Sequence, residues 1–202
     1  MWWSEDGKAW SKGTGNNATI INVRLLYENN IFVCTSEQGV WWSEDGKAWT
    51  QSNYTSFYQY SPLMYAGGIF FLGSVKSSDG KTWVQMNKPN SSLIQVEYAN
   101  GVWVGIFNYY LAWSDNGGDS WTEVQLVSDV NYQAFNCVVH GDKWVLILFD
   151  NTPDVVKPKI YWSENGKNWT QATIPNVNVC IITGQHFITN INIINHSIFT
   201  GI

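Results

Sequence analysis

The nine residues WWSEDGKAW occur twice in the chain, at 2–10 and again at 41–49. Altered copies follow at 76–83 (KSSDGKTW), 113–121 (WSDNGGDSW) and 162–169 (WSENGKNW). The serines that open the five copies lie 34 to 49 residues apart, at Ser4, Ser43, Ser77, Ser114 and Ser163. A period near 40 residues that tolerates insertions predicts one supersecondary unit per repeat.

A second column of residues repeats with the same period. It consists of turn residues followed by apolar and aromatic residues, at 29–33 (NNIFV), 67–71 (GGIFF), 100–104 (NGVWV), 141–145 (GDKWV) and 184–188 (GQHFI). Each repeat therefore predicts an apolar strand, a turn, an aromatic strand and a third strand that ends in the serine phrase, whose last tryptophan begins a fourth. Four antiparallel strands per repeat without helical periodicity predict an all-β fold, with each repeat a propeller blade.

The residue types of the serine phrase are those of a tight hairpin. Asp-Gly or Asn-Gly supplies the positive φ angles, the serine and aspartate side chains can bind the turn amides, and the tryptophan buries a large ring beside the turn. We therefore assign structural roles to these positions: Ser4, Asp6, Gly7, Trp10, Ser43, Asp45, Gly46, Trp49, Ser77, Asp79, Gly80, Trp83, Ser114, Asn116, Gly118, Trp121, Ser163, Asn165, Gly166 and Trp169.

The phrase resembles the Asp-box, or bacterial neuraminidase repeat, Ser-x-Asp-x-Gly-x-Thr-Trp. The first, second, third and fifth copies are one residue shorter than this pattern. The fourth copy has the full length, with Asn116 in place of the aspartate. The resemblance implies a hairpin between the third and fourth strands of each blade, as in sialidase-like propellers and in phage tail and bacterial surface proteins. In architecture the expected chain resembles five-bladed tachylectin-type lectins.

The two ends of the chain are complementary. The chain opens with a third-to-fourth-strand hairpin at 2–11, and residues 177–191 supply first and second strands without a serine phrase. We therefore expect a single domain over residues 1–202, a five-bladed β-propeller of four-stranded antiparallel blades, in which the N-terminal hairpin completes the last blade and closes the ring. Residues 195–202 also predict a strand, whose pairing the sequence leaves open.

Composition excludes several classes of partner. The formal charge is −5 and the basic residues are scattered singly, so we expect no nucleic-acid binding. No apolar run is long enough to span a membrane, and no signal peptide opens the sequence. Localisation stays open, with an extracellular or virion surface expected if the chain is part of an adhesin.

The histidines and cysteines suggest no site chemistry. The three histidines lack metal-ligand spacing, so we expect neither a metal nor a cofactor. Cys34, Cys137 and Cys180 lack CxxC spacing and are expected to be buried thiols. The oligomeric state stays open.

Two groups of residues are candidates for ligand binding. All thirteen tryptophans fall in the repeat columns and are expected to be structural, so tyrosines in loops opposite the serine phrases are the better candidates, beside Asn and Gln amides that suit sugar hydroxyls. These are Tyr54, Tyr58, Tyr109, Tyr110 and Tyr132. The polar phase of the first strands, which would line a central channel, adds Arg24, Gln95 and Asn136. Arg24 could hold a carboxylate or phosphate, or form a surface ion pair with Glu97.

The sequence favours a binder over an enzyme. The resemblance implies that sialidase activity would need three arginines, whereas Arg24 is the only arginine, so we reject that activity. Glycoside hydrolysis by two carboxylates is a weaker alternative, with Asp129, Asp150 and Asp154 as candidates. We expect a non-catalytic module for carbohydrate or cell-surface recognition, lectin-like or used in host attachment. The alternative is a protein–protein interaction scaffold, which the loop differences between repeats also suit.

Overall fold

The computed structural model describes residues 2–14, 24–55, 61–88, 91–107, 110–126, 132–150, 159–173, 191–194 and 197–200. Within these ranges the chain is all β, without a helix, and most strands belong to four-stranded antiparallel sheets. Both features were predicted from the repeat.

The four sheets follow one another along the chain, and in each the spatial strand order is the sequence order. The first sheet comprises β3 (Arg24–Glu28), β4 (Ile31–Ser36), β5 (Gly39–Ser43) and β6 (Thr50–Gln51). The second comprises β7 (Leu63–Ala66), β8 (Ile69–Leu72), β9 (Val75–Ser77) and β10 (Val84–Gln85). The third comprises β11 (Leu93–Ala99), β12 (Val102–Phe107), β13 (Tyr110–Ser114) and β14 (Thr122–Val124). The fourth comprises β15 (Tyr132–His140), β16 (Lys143–Asp150), β17 (Lys159–Ser163) and β18 (Thr170–Gln171).

Two further pairs of strands flank these sheets in sequence. The N-terminal hairpin pairs β1 (Trp2–Trp3) with β2 (Ser11–Lys12), and a C-terminal pair joins β19 (Ile191–Ile194) to β20 (Ser197–Thr200). The described residues thus form four four-stranded sheets where the sequence predicted five blades. The difference arises because the strands expected at 177–191 lie outside the described residues, apart from Ile191. The strand expected within 195–202 is β20, and its partner is β19.

Left-handed residues form the turns between first and second strands. Asn29 and Asn30 have φ of 52° and 59°, and Asn100 and Gly101 have φ of 51° and 80°. Positive φ at both central residues is what a two-residue type I′ hairpin requires, and Asn and Gly tolerate it best. The local sequence therefore determines where these strands reverse.

Neighbouring sheets pack face to face. Val33 and Val40 of the first sheet pack with Phe70 and Leu72 of the second, and a similar apolar layer joins the second sheet to the third. The third and fourth sheets bury Val104, Leu146 and Trp144, among others, between them. Complete burial of such side chains contributes about 1.5–3 kcal/mol each. The first strands β3, β7, β11 and β15 contact in succession, so the sheets form an ordered series.

The described cysteines are buried thiols, as predicted. Cys34 and Cys137 are both fully buried and free. Burial raises the pKa of the Cys34 thiol to about 12, and it raises the pKa of Cys137 further. Cys180 lies outside the described residues. No helix among the described ranges is long and apolar enough to cross a membrane.

Candidate binding surface

The two ends of the sheets carry different structures. One end, which we call the hairpin end, carries the turns between first and second strands and the serine phrases between third and fourth strands. The other, the loop end, carries the turns between second and third strands and the connections from one sheet to the next. A ligand that binds at either end therefore meets a different set of groups.

Internal hydrogen bonds hold each serine phrase. In the second copy the Gly46 amide donates to Ser43 Oγ at 2.9 Å, and Ser43 Oγ donates to Asp45 Oδ1 at 3.0 Å. The amides of Lys47 and Ala48 donate to the same carboxylate oxygen at 2.8 and 2.9 Å. These amide bonds, with Ala48 first, lower the pKa of Asp45. We call the five units Ser-Gly-Trp hairpins: residues 4–10, 43–49, 77–83, 114–121 and 163–169.

The other four Ser-Gly-Trp hairpins use the same pattern. In each, the glycine amide donates to the serine oxygen at 2.9 Å. In the last two, the side-chain oxygens of Asn116 and Asn165 replace the carboxylate as acceptors from the serine and from later amides. The polar groups of the hairpins are therefore largely occupied in closing the turn.

Lysines link successive Ser-Gly-Trp hairpins. Lys47 Nζ lies 2.9 Å from Glu5 of the preceding hairpin and 4.0 Å from the ring centroid of Trp3. The same arrangement recurs as Lys81 with Glu44 and Trp42, and as Lys167 with Asp115 and Trp113. Between the second and third sheets, Lys76 Nζ instead lies 2.6 Å from Asp119 and donates to the Gly117 carbonyl. Sequence reasoning missed these links, although an acid after four of the five serines and a lysine after four of the five glycines were the available signal.

An asparagine adds a second kind of link between sheets. Asn53, just after β6, accepts from the Trp83 amide at 2.8 Å and donates to the Trp83 carbonyl at 2.9 Å. Parallel bridges join Thr14 to Ala48 and Asn87 to Ser120 in the corresponding places. Residues that follow β2, β6 and β10 thus join their sheets to the last residues of the next Ser-Gly-Trp hairpin.

The loop end carries the predicted tyrosines that the structure describes. Tyr110 begins β13 and has 42% of its surface exposed. Tyr54 is half-buried against the core between the first and second sheets, and its carbonyl accepts from the Val40 amide at 3.0 Å. Tyr132 begins β15, opposite Asp150. Tyr58 and Tyr109 lie outside the described residues.

The predicted channel residues lie on first strands. The Gln95 amide donates to the Cys137 carbonyl at 2.7 Å and accepts from the Cys137 amide at 3.2 Å, so it joins β11 to β15. Gln95 also donates to Glu97 at 3.2 Å, and burial raises the pKa of Glu97. Arg24 is exposed at the start of β3 and pairs with no described carboxylate, Glu97 included. Asn136 lies on β15.

No cluster of three or more His, Cys, Asp and Glu side chains that could hold a metal occurs in the described ranges. Of the carboxylates considered for hydrolysis, Asp129 and Asp154 lie outside those ranges, and Asp150 ends β16.

No protein-family model matches the sequence, and no curated protein is significantly similar to it. Among solved structures, an endo-1,4-beta-xylanase from Bacteroides thetaiotaomicron aligns over 78% of this chain and 73% of its own, with 10% sequence identity and a TM-score of 0.37. A likeness at that level defines neither the fold family nor the activity of this chain.

Proposed function

We propose that this chain is a non-catalytic binding module that recognises carbohydrate on a cell surface through the loop end of a five-bladed Asp-box propeller. The observation that carries the proposal is the contrast between the two ends. Both ends expose aromatic rings, but the polar groups of the Ser-Gly-Trp hairpins are engaged in internal bonds, whereas Tyr110 at the loop end is exposed beside connections whose residues differ from sheet to sheet.

An uncovered apolar face supports a fifth blade. Leu63, Val96 and Cys137 occupy equivalent positions on the first strands of the last three sheets, and each is at most 7% exposed because the preceding sheet covers it. Leu25, the equivalent residue of the first sheet, is 52% exposed. A blade completed by the N-terminal hairpin would cover Leu25 as the earlier sheets cover its equivalents.

Carbohydrate chemistry suits the loop end. A pyranose presents an apolar C–H face that packs on a planar ring, and hydroxyls that bind amide and phenol groups. Tyr110 supplies such a ring. Because the loops differ between sheets, we expect one composite site instead of one site per blade.

We also propose that the chain is not catalytic, because it lacks residues that the chemistry would need. A single arginine cannot form the triad that sialidase chemistry needs. The closest runner-up is a protein-docking scaffold, which the exposed Ile94 and Tyr98 favour. We propose neither a cofactor nor a nucleic-acid partner.

A glycan array tests the proposal. The labelled protein should bind selectively, and Tyr110→Ala should weaken that binding at least about tenfold, which corresponds to about 1.4 kcal/mol. Tyr98→Ala is the matched control, because Tyr98 is 38% exposed and lies near the Asn100 turn at the hairpin end. Thermal melting must show that both variants fold.

Two results would count against carbohydrate recognition. A blank array with folded protein would contradict it and favour the docking scaffold. Equal losses of glycan binding in Tyr98→Ala and Tyr110→Ala would show that the binding site does not lie at the loop end.

A further inference from the structure

The lysine links between Ser-Gly-Trp hairpins obey a positional rule. The lysine that follows the hairpin glycine reaches back to the preceding hairpin. There it pairs with the acid after the serine and lies over the tryptophan before the serine, as Lys47 does with Glu5 and Trp3. Three of the four links between adjacent hairpins have this form.

In the remaining link the lysine and the acid have exchanged hairpins, which supports the rule. The third hairpin has Ser78 in the acid position and Lys76 in the tryptophan position. The fourth hairpin has Asp119 after its glycine, where the others have lysine, and Lys76 pairs with it at 2.6 Å. Opposite charges therefore meet in all four links, with both partners altered together in one of them.

The first and the fifth Ser-Gly-Trp hairpins carry the residues that a fifth link would need. Lys8 of the first hairpin occupies the position of Lys47, is exposed, and forms no ion pair with any residue that the structure describes. The fifth hairpin has Glu164 after its serine and Trp162 before it. Trp162 is 40% exposed, and Glu164 pairs with Lys143 of its own sheet at 2.7 Å.

We propose that Lys8 binds Glu164 and lies over Trp162 in the same chain, so that a fifth link clasps the N-terminal hairpin onto the fourth sheet. The inference rests on the five-bladed ring of the proposed function and identifies the contact that holds it closed. The occupant of the exposed Trp162 face is this chain's own hairpin.

Charge, position and tethering favour that occupant. Lys8 brings a positive charge to Glu164, in the same residue order that makes the three observed links. Lys47 and the Thr14 bridge hold the N-terminal hairpin beside the first sheet. The hairpin therefore lies at one end of the series of sheets, and the fourth sheet is at the other end. A partner on the same chain also has the advantage of a high effective concentration over a second copy.

Carbodiimide coupling of the intact chain tests the clasp, because it joins an amine to a carboxylate only when the two are in contact. We expect mass spectrometry to detect a Lys8–Glu164 linked peptide at a yield within about threefold of the Lys47–Glu5 peptide, the matched internal control. Lys12, exposed on β2 and outside the positional rule, should give no link to Glu164. Formation of the Lys47–Glu5 link without the Lys8–Glu164 link would overturn the proposal.

An isotope mixture distinguishes one chain from two. Coupling of mixed ordinary and ¹⁵N-labelled protein should give a Lys8–Glu164 peptide with both halves of one isotope. Peptides of mixed isotope would show that a second copy occupies the face, and would overturn closure within the chain.

Charge exchange gives an independent readout. Lys8→Glu should lower the melting temperature, whereas Lys12→Glu should change little. Because Glu164→Lys also breaks the ion pair with Lys143, Lys8→Glu with Glu164→Lys is compared with Glu164→Lys alone and should be the more stable of the two. A double variant no more stable than Glu164→Lys alone would contradict the clasp. Retained glycan binding in that case would leave the proposed function standing.

Discussion

The hairpins at 2–10 and 41–49 have the same nine residues in different surroundings. In both, the serine accepts from the glycine amide at 2.9 Å and the aspartate accepts from the next two amides at 2.8 and 2.9 Å. Yet Trp49 is 4% exposed and Trp10 is 58% exposed. Trp49 is covered because Phe32, Cys34 and Trp41 of its own sheet pack around it.

The difference separates two levels of structure. The backbone path of the hairpin is set by its own residues, since the same bonds form in both places. Burial of the tryptophan depends on inner strands that only the second copy has among the described residues. The phrase is therefore a turn module whose contribution to stability depends on the sheet behind it.

Removal of the buried tryptophan ring of the second copy should change the free energy of unfolding most. Trp49→Ala should lower the free energy of unfolding by about 3–5 kcal/mol, because it deletes a large side chain from a filled site. Urea unfolding followed by circular dichroism measures the change. A loss below about 1 kcal/mol would show that the cluster around Trp49 does not depend on it.

Substitution of the hairpin glycines should have the next largest effect on the free energy of unfolding. A comparison of two glycines separates the cost of backbone strain from the cost of packing. Gly7 and Gly80 have φ of 72° and 70°, but a Cβ on Gly7 would meet nothing, whereas one on Gly80 would lie 2.7 Å from Val33 Cγ2. Gly7→Ala should cost about 1–2 kcal/mol from the left-handed backbone alone. Gly80→Ala should cost about 2–4 kcal/mol, because overpacking adds to that strain.

Urea unfolding of both glycine variants checks this order. Equal losses would mean that the packing against Val33 relaxes without cost, and that the environment of the hairpin matters less than its backbone.

The smallest expected effect concerns the carboxylate. Asp45→Asn should leave the melting temperature at pH 7 close to that of the wild type, because Asn116 and Asn165 accept the equivalent bonds in the last two hairpins. The carboxylate should matter only in acid. Backbone amides hold the pKa of Asp6 and Asp45 below its usual range, so their contribution is present above about pH 4 and is lost as pH falls through the folded-state pKa.

Thermal melts from pH 7 to pH 2.5 measure this dependence. Asp45→Asn should lose less stability on acidification than the wild type does. A variant with the same acid profile as the wild type would show that Asp45 does not contribute to it.

Local features of the fold could be predicted from sequence because they rest on neighbouring residues. The repeated column of turn residues followed by apolar and aromatic residues marked the strands of the four sheets, and Asn29–Asn30 marked a turn by the backbone angles that asparagine tolerates. The serine, the glycine and the aspartate or asparagine of each phrase lie within four residues of one another, so their mutual bonding was also open to prediction.

Contacts between sheets were harder to predict because their partners lie about 40 residues apart. The pairing of Lys47 with Glu5 depends on how two sheets stack, which no local pattern specifies. Gln95 was predicted as a ligand-binding residue of a central channel; the structure shows its amide bound to the Cys137 backbone of the next sheet, a contact that no local pattern specifies. Tyr54 was predicted in a loop, and it is half-buried because its connection folds back over the turn between β4 and β5.

Unfolding of Trp10→Ala beside Trp49→Ala tests whether the N-terminal hairpin completes a fifth blade, as we propose. In a completed blade Trp10 takes the place that Trp49 has in the first sheet. We therefore expect Trp10→Ala to lower the free energy of unfolding by more than about 2 kcal/mol, approaching the loss in Trp49→Ala. Unfolding of Trp10→Ala indistinguishable from that of the wild type would contradict the fifth blade.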